Sequence, residues 1–96
     1  MTPVEACIRL DHVLQRDPGG RYFFCCKKAF VLVKLFHSPQ RMRFSARDKV
    51  AFRADTEWLC IERSDTGAIH RRFAWHEIEC LAAGEPEADN GPLFQG

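Results

Sequence analysis

The sequence predicts an α+β fold, with one N-terminal helix followed by a small antiparallel β-barrel. Three observations carry this expectation. The chain opens on a capped segment with helically spaced apolar residues. Short β-rich runs separated by turn residues follow it. Residues 41–47, Arg-Met-Arg-Phe-Ser-Ala-Arg, alternate polar and apolar side chains strictly, which is the cleanest periodic signal in the chain.

In Thr2-Pro3-Val4-Glu5, Thr2 can cap a helix, Pro3 suits its first position, and Glu5 stands where a capping box needs a carboxylate. Val4, Cys7, Ile8, Val13 and Leu14 share one stripe, which predicts a helix over residues 3–16. Asp17-Pro18-Gly19-Gly20 stops it. Residues 22–26 are aromatic and apolar, and residues 29–36 are rich in Val, Leu and Phe, as a strand buried on both faces would be. Ser38-Pro39-Gln40 is a turn. In residues 41–47, Met42, Phe44 and Ala46 point one way and the arginines and Ser45 the other. Val50–Ala54 and Trp58–Arg63 read as strands, Ser64-Asp65-Thr66-Gly67 as a turn, and residues 68–73 as the returning strand. Residues 75–81 close the fold with Ile78 facing in and Cys80 on the same side. Short strands expose edges unless the sheet curls shut. A barrel of Sm-like or SH3-like kind over residues 22–82 is therefore expected, with a pleckstrin-homology-like β-sandwich as the alternative. This makes a single domain of residues 1–83, and the acidic, Gly/Pro-containing residues 84–96 read as a disordered tail.

The bulk composition is that of a globular protein, 46% apolar and 28% charged. The longest clean apolar run, residues 29–33, is far too short to cross a membrane, and no basic flank with an apolar stretch marks a signal peptide. Five cysteines, an odd number without a C-x-x-C, do not make a disulfide framework. They predict reduced thiols and a cytoplasmic location, with Cys60 and Cys80 as small core residues.

Enzymatic chemistry finds no support. Asp65-Thr66-Gly67-Ala68 matches the tetrapeptide of retroviral aspartic proteases, but no apolar strand leads directly into it and too few residues follow for the flap. It reads as a hairpin turn. Cys60, His70, His76 and Cys80 lack any paired-ligand spacing, so no metal and no cofactor is expected. Cys25 and Cys26 beside Lys27 and Lys28 read as strand residues rather than as an activated nucleophile.

The net charge of +1 conceals a polarity: residues 21–53 carry +8 and residues 54–96 carry −6. Arg41, Arg43 and Arg47, with Lys49, could form a cationic ladder for a polyanion such as RNA, and neighbouring aromatics could stack bases. A protein-interaction module aimed at another host factor is a further reading of the same surface.

Several residues together resemble the Rho-binding antiterminators of bacteria, the Rof/YaeO family. Cys7 and Asp11 are four apart in the first helix, and Cys26 precedes the apolar run of residues 29–35. Glu57-Trp58-Leu59-Cys60-Ile61-Glu62 stands for that family's Glu-Tyr-Leu strand, and Gly67, Arg71-Arg72, residues 78–81 and Gly84-Glu85-Pro86 follow in order. The resemblance covers residues 3–86 with gaps. It implies a helix on an Sm-like barrel and a non-enzymatic regulator that binds the transcription terminator Rho and obstructs its access to RNA. Asp11, Glu57 and Glu62 would then contact a basic partner surface.

Overall fold

The computed structural model describes residues 1–85; the expected tail beyond them lies outside the described residues. Helix α1 (Pro3–Asp11) precedes eight strands among the described residues. These are β1 (Leu14–Arg16), β2 (Arg21–Phe24), β3 (Phe30–Leu35), β4 (Arg41–Ser45), β5 (Val50–Ala54), β6 (Trp58–Arg63), β7 (Ile69–Ala74) and β8 (Ile78–Gly84). One-turn 3-10 segments at Ala46–Asp48 and Trp75–Glu77 lead into β5 and β8.

The capping box forms as its sequence implies: the Glu5 amide donates to Thr2 Oγ1 at 3.2 Å, and the Thr2 amide donates to Glu5 Oε1 at 3.1 Å. The Thr2 amide, then the Thr2 hydroxyl, both donating to Glu5 Oε1, hold the Glu5 carboxyl below its ordinary value. The helix, however, ends at Asp11 rather than near residue 16. Val13 and Leu14 continue the helical stripe of Val4, Cys7 and Ile8 in sequence, but the chain leaves the helix before them. In the fold, the Val13 amide bonds the Leu10 carbonyl, the chain turns out, and Leu14 enters the core from a strand paired with Phe24. The residues 17–20 are consequently the turn of a β1–β2 hairpin. Asp17 Oδ1 accepts the Arg21 amide at 2.9 Å, and Gly20 takes a φ of 87° that a side chain would strain.

The strands form two antiparallel sheets, ordered β1-β2-β5-β6-β7 and β4-β3-β8. The two ladders remain separate, so the hydrogen bonding does not draw one closed barrel. Their apolar faces meet around Phe52 of β5, whose ring touches Phe24 of β2 and Phe44 of β4 edge-on, at centroid distances of 5.9 and 5.7 Å. Val31, Val33, Leu59, Ile61, Ile78 and Leu81 are fully buried beside it. Helix α1 lies along the free edge of β8: Arg9 Nη1 donates to the Leu81 carbonyl at 2.8 Å and the N-terminal amine donates to the Ile78 carbonyl at 3.3 Å. An edge covered in this way cannot template pairing with another chain.

Two expectations about burial are corrected. β3 is not buried on both faces: Val31 and Val33 point inward, while Phe30, Leu32 and Lys34 are only half-buried on the outer side. Cys80 does not pack beside Ile78; it is exposed, and Ile78 is buried. The β3–β8 register explains the change of phase. Lys34 pairs with Cys80 and Leu35 with Ile78, so Glu79 is an extra residue, a β-bulge that turns the following side chains to the opposite face.

Candidate nucleic-acid interface

The outer face of the β4-β3-β8 sheet is a grid set by register. Its rows are Ser45–Phe30–Gly84, Arg43–Leu32–Ala82 and Arg41–Lys34–Cys80. The alternation in the sequence places Arg41 and Arg43 outward on β4 and buries Phe44 behind them. Being two residues apart on a strand, their Cα atoms are about 7 Å apart. The Arg43 guanidinium lies over the Phe30 ring, 5.0 Å from its centroid. Lys34 pairs with Glu79 of the bulge.

β4 ends at Ser45 instead of continuing to residue 47, because the Asp48 carboxylate accepts the Ser45 amide at 2.7 Å and winds the next three residues into a 3-10 turn. Arg47 therefore leaves the row of Arg41 and Arg43. It lines, with Lys27, Ser45 and Ala46, a recess of about 320 Å³ at the end of the strand. Lys49 follows in a left-handed conformation, φ 55°, exposed at the entry to β5. Around the other side of β4, Arg43 joins Arg63 and His70 along a cleft of about 230 Å³ that also contains Asp48. Thus the four expected cations sit along β4 and its turn, and Lys27 beside Arg47 adds to the positive field.

The three acids do not gather in the same way. Asp11 is exposed at the end of α1, and Glu57 is exposed before β6. Glu62 is only 4% exposed. Its two carboxylate oxygens meet Arg21 Nε at 3.1 Å and Arg53 Nη2 at 2.9 Å, which makes it the centre of an ion-pair network within the sheet. That network fills the outer face of the five-stranded sheet. Arg53 also faces Asp55, the Cys60 thiol donates to Asp55 Oδ2 at 3.4 Å, and Arg72 lies over Trp58 at 4.5 Å. Burial, then the Asp55 carboxylate, push the Cys60 thiol above its ordinary value.

Asp11 has a second role. The buried Tyr22 hydroxyl makes no hydrogen bond of good geometry, and the Cys7 and Asp11 side chains act on it. Burial and these two groups push the phenol well above its ordinary value. The Cys7–Asp11 spacing is thereby tied to β2. Residues 64–67 form the β6–β7 hairpin turn, with the Gly67 amide donating to the Arg63 carbonyl at 2.8 Å. Asp65 there is engaged by the Arg63 guanidinium, which lowers its carboxyl. Among the described residues, no three His, Cys, Asp or Glu side chains are placed to hold a metal, and no helix is long and apolar enough to cross a membrane.

Sequence reasoning missed Phe30, Leu32, Lys34 and Glu79 as surface residues. The run of residues 29–36 is apolar apart from Lys34, and only the register separates its faces. Comparisons with protein-family models, curated proteins and solved structures find no match to this chain.

Proposed function

We propose that this chain is a non-enzymatic binding protein for single-stranded RNA, acting through the outer face of β3 and β4 and the turn beyond it. The observation that supports this best is the Arg43–Phe30 stack beside Arg41. Cations spaced along an extended strand can follow a phosphate backbone, and an aromatic ring among them offers a base a stacking surface. The free-standing arginines favour this face over the five-stranded sheet, where Arg21 and Arg53 are already tied to Glu62. The fold is then read as an open Sm-like or SH3-like barrel. In support, Arg71 Nη1 of β7 reaches Met42 Sδ of β4 at 3.3 Å, which brings the two free edges face to face.

The test is fluorescence anisotropy with a labelled single-stranded RNA over a series of salt concentrations. Affinity should fall steeply with salt, and an Arg41→Glu/Arg43→Glu double variant should lose most of it. Unchanged binding by that variant would remove the proposal.

A second reading rests on α1. Val4 and Ile8 are 69% and 55% exposed on the helix that carries Asp11, a face suited to a protein partner. The resemblance to the antiterminators makes the transcription terminator Rho the first candidate. Calorimetry with purified Rho distinguishes the two, since absence of heat at tens of micromolar protein rules out the second reading.

A further inference from the structure

The outer face of the β4-β3-β8 sheet is not flat. β8 presents only Cys80, Ala82 and Gly84 opposite the larger side chains of β3, and this difference in height opens a recess of about 340 Å³. That volume is at the lower end of small-molecule sites. Leu32 and Ala82 line its apolar part, Arg41 lies on the β4 side, and Lys34, Glu79 and Cys80 complete the lining.

The β-bulge is what places acid and base together here. Without the extra residue, Glu79 and Cys80 would point to opposite faces; with it, both are exposed, and the Glu79 carboxylate meets the Lys34 ammonium. Bulges commonly re-aim a side chain beside a functional site. The result is one carboxylate, able to accept two hydrogen bonds side by side, next to one ammonium donor.

We infer that this recess is a base subsite selective for guanine in single-stranded RNA, a proposal that rests on the RNA-binding reading above and refines it. The Watson–Crick edge of guanine carries N1–H and N2–H next to each other, followed by the O6 acceptor. The Glu79 carboxylate can span the two donors while the Lys34 ammonium donates to O6. Adenine, cytosine and uracil do not set two donor groups side by side on that edge. Leu32 supports the ring, and Arg41 holds the adjoining phosphate. The base must be unpaired, because pairing would occupy the edge that is read.

The test compares a short all-uridine RNA with the same RNA carrying one central guanosine, each binding to the full chain. The guanosine RNA should bind about tenfold more tightly, within the range for a bidentate base contact. It should also protect Cys80 from iodoacetamide, read by peptide mass spectrometry, where the uridine RNA protects less. Glu79→Gln should bring the two RNAs level. Ala82→Phe, which fills the recess, should do the same, and the exposed Glu79→Gln keeps the test intact if Ala82→Phe does not fold. Equal binding of both RNAs, equal alkylation of Cys80, or a guanosine preference that survives Glu79→Gln overturns the subsite and leaves the cationic interface standing. No binding of either RNA overturns both.

Discussion

The Arg43 guanidinium lies 5.0 Å from the centroid of the Phe30 ring, across the β3–β4 ladder. Neither side chain is needed to fill the core, since Arg43 is exposed and Phe30 only half-buried. Their removal should therefore separate binding from stability. Phe30→Ala should weaken RNA binding by about 1–3 kcal/mol, the value of one base-stacking contact, with little effect on the salt dependence. Arg43→Ala should weaken binding and reduce the salt slope by about 1. Anisotropy titrations at several salt concentrations measure both quantities, and urea denaturation verifies that each variant is folded.

Glu62→Gln should be far more harmful than its place on a sheet surface suggests. The Glu62 side chain is 6% exposed and neutralises two arginines whose side chains are 27% and 41% exposed. Removing its charge leaves Arg21 and Arg53 facing each other across the β2–β5 pair. Because both guanidinium groups keep some water, the loss should be about 2 kcal/mol, below the range for a wholly buried pair. A lowered urea midpoint with an unchanged slope is the expected result.

That example also marks what could be read in the sequence. The strand period in Arg41–Ser45 separates Met42 and Phe44 from the exposed Arg41 and Arg43, whereas in Trp58–Arg63 four successive residues, Leu59 to Glu62, are buried. Alternation alone does not say whether a surface position is free, because Glu62 becomes buried only when Arg21 and Arg53 are brought beside it by register. The same limit hid the Lys34–Glu79 pair, which depends on a one-residue bulge between distant segments. It also hid β1, since Leu14 satisfies a helical stripe and a strand pairing equally well. Local pattern identified the elements, and non-local pairing decided which side chains meet.

The protein should lose stability in alkali. Burial raises the Cys60 thiol above its ordinary 9.0 and the Tyr22 phenol above its ordinary 10.0. A raised folded-state value means the unfolded chain gives up its proton first. The stabilisation is thus complete below those ordinary values and declines as pH rises from them through the higher folded-state values. Urea midpoints should be level near neutral pH and fall above pH 9. Tyr22→Phe should flatten the upper part of that fall. Consistently, a thiol reagent at neutral pH should modify exposed Cys25 and Cys80 quickly and Cys60 only after unfolding.

Arg9→Ala should expose an edge. The Arg9 guanidinium donates to the Leu81 carbonyl of β8, whose ladder partner is β3 alone among the described strands. A charged donor to a part-buried carbonyl contributes about 1.5–3 kcal/mol, so the variant should unfold at lower urea. It should also self-associate, because an unpaired strand carbonyl beside apolar residues is a template for a second chain. Arg9→Lys retains a donor but not the planar reach of the guanidinium, and should fall between the two. Sedimentation velocity at increasing concentration distinguishes edge pairing from simple destabilisation: a variant that is less stable yet monomeric would show that α1 covers the β8 edge without this arginine.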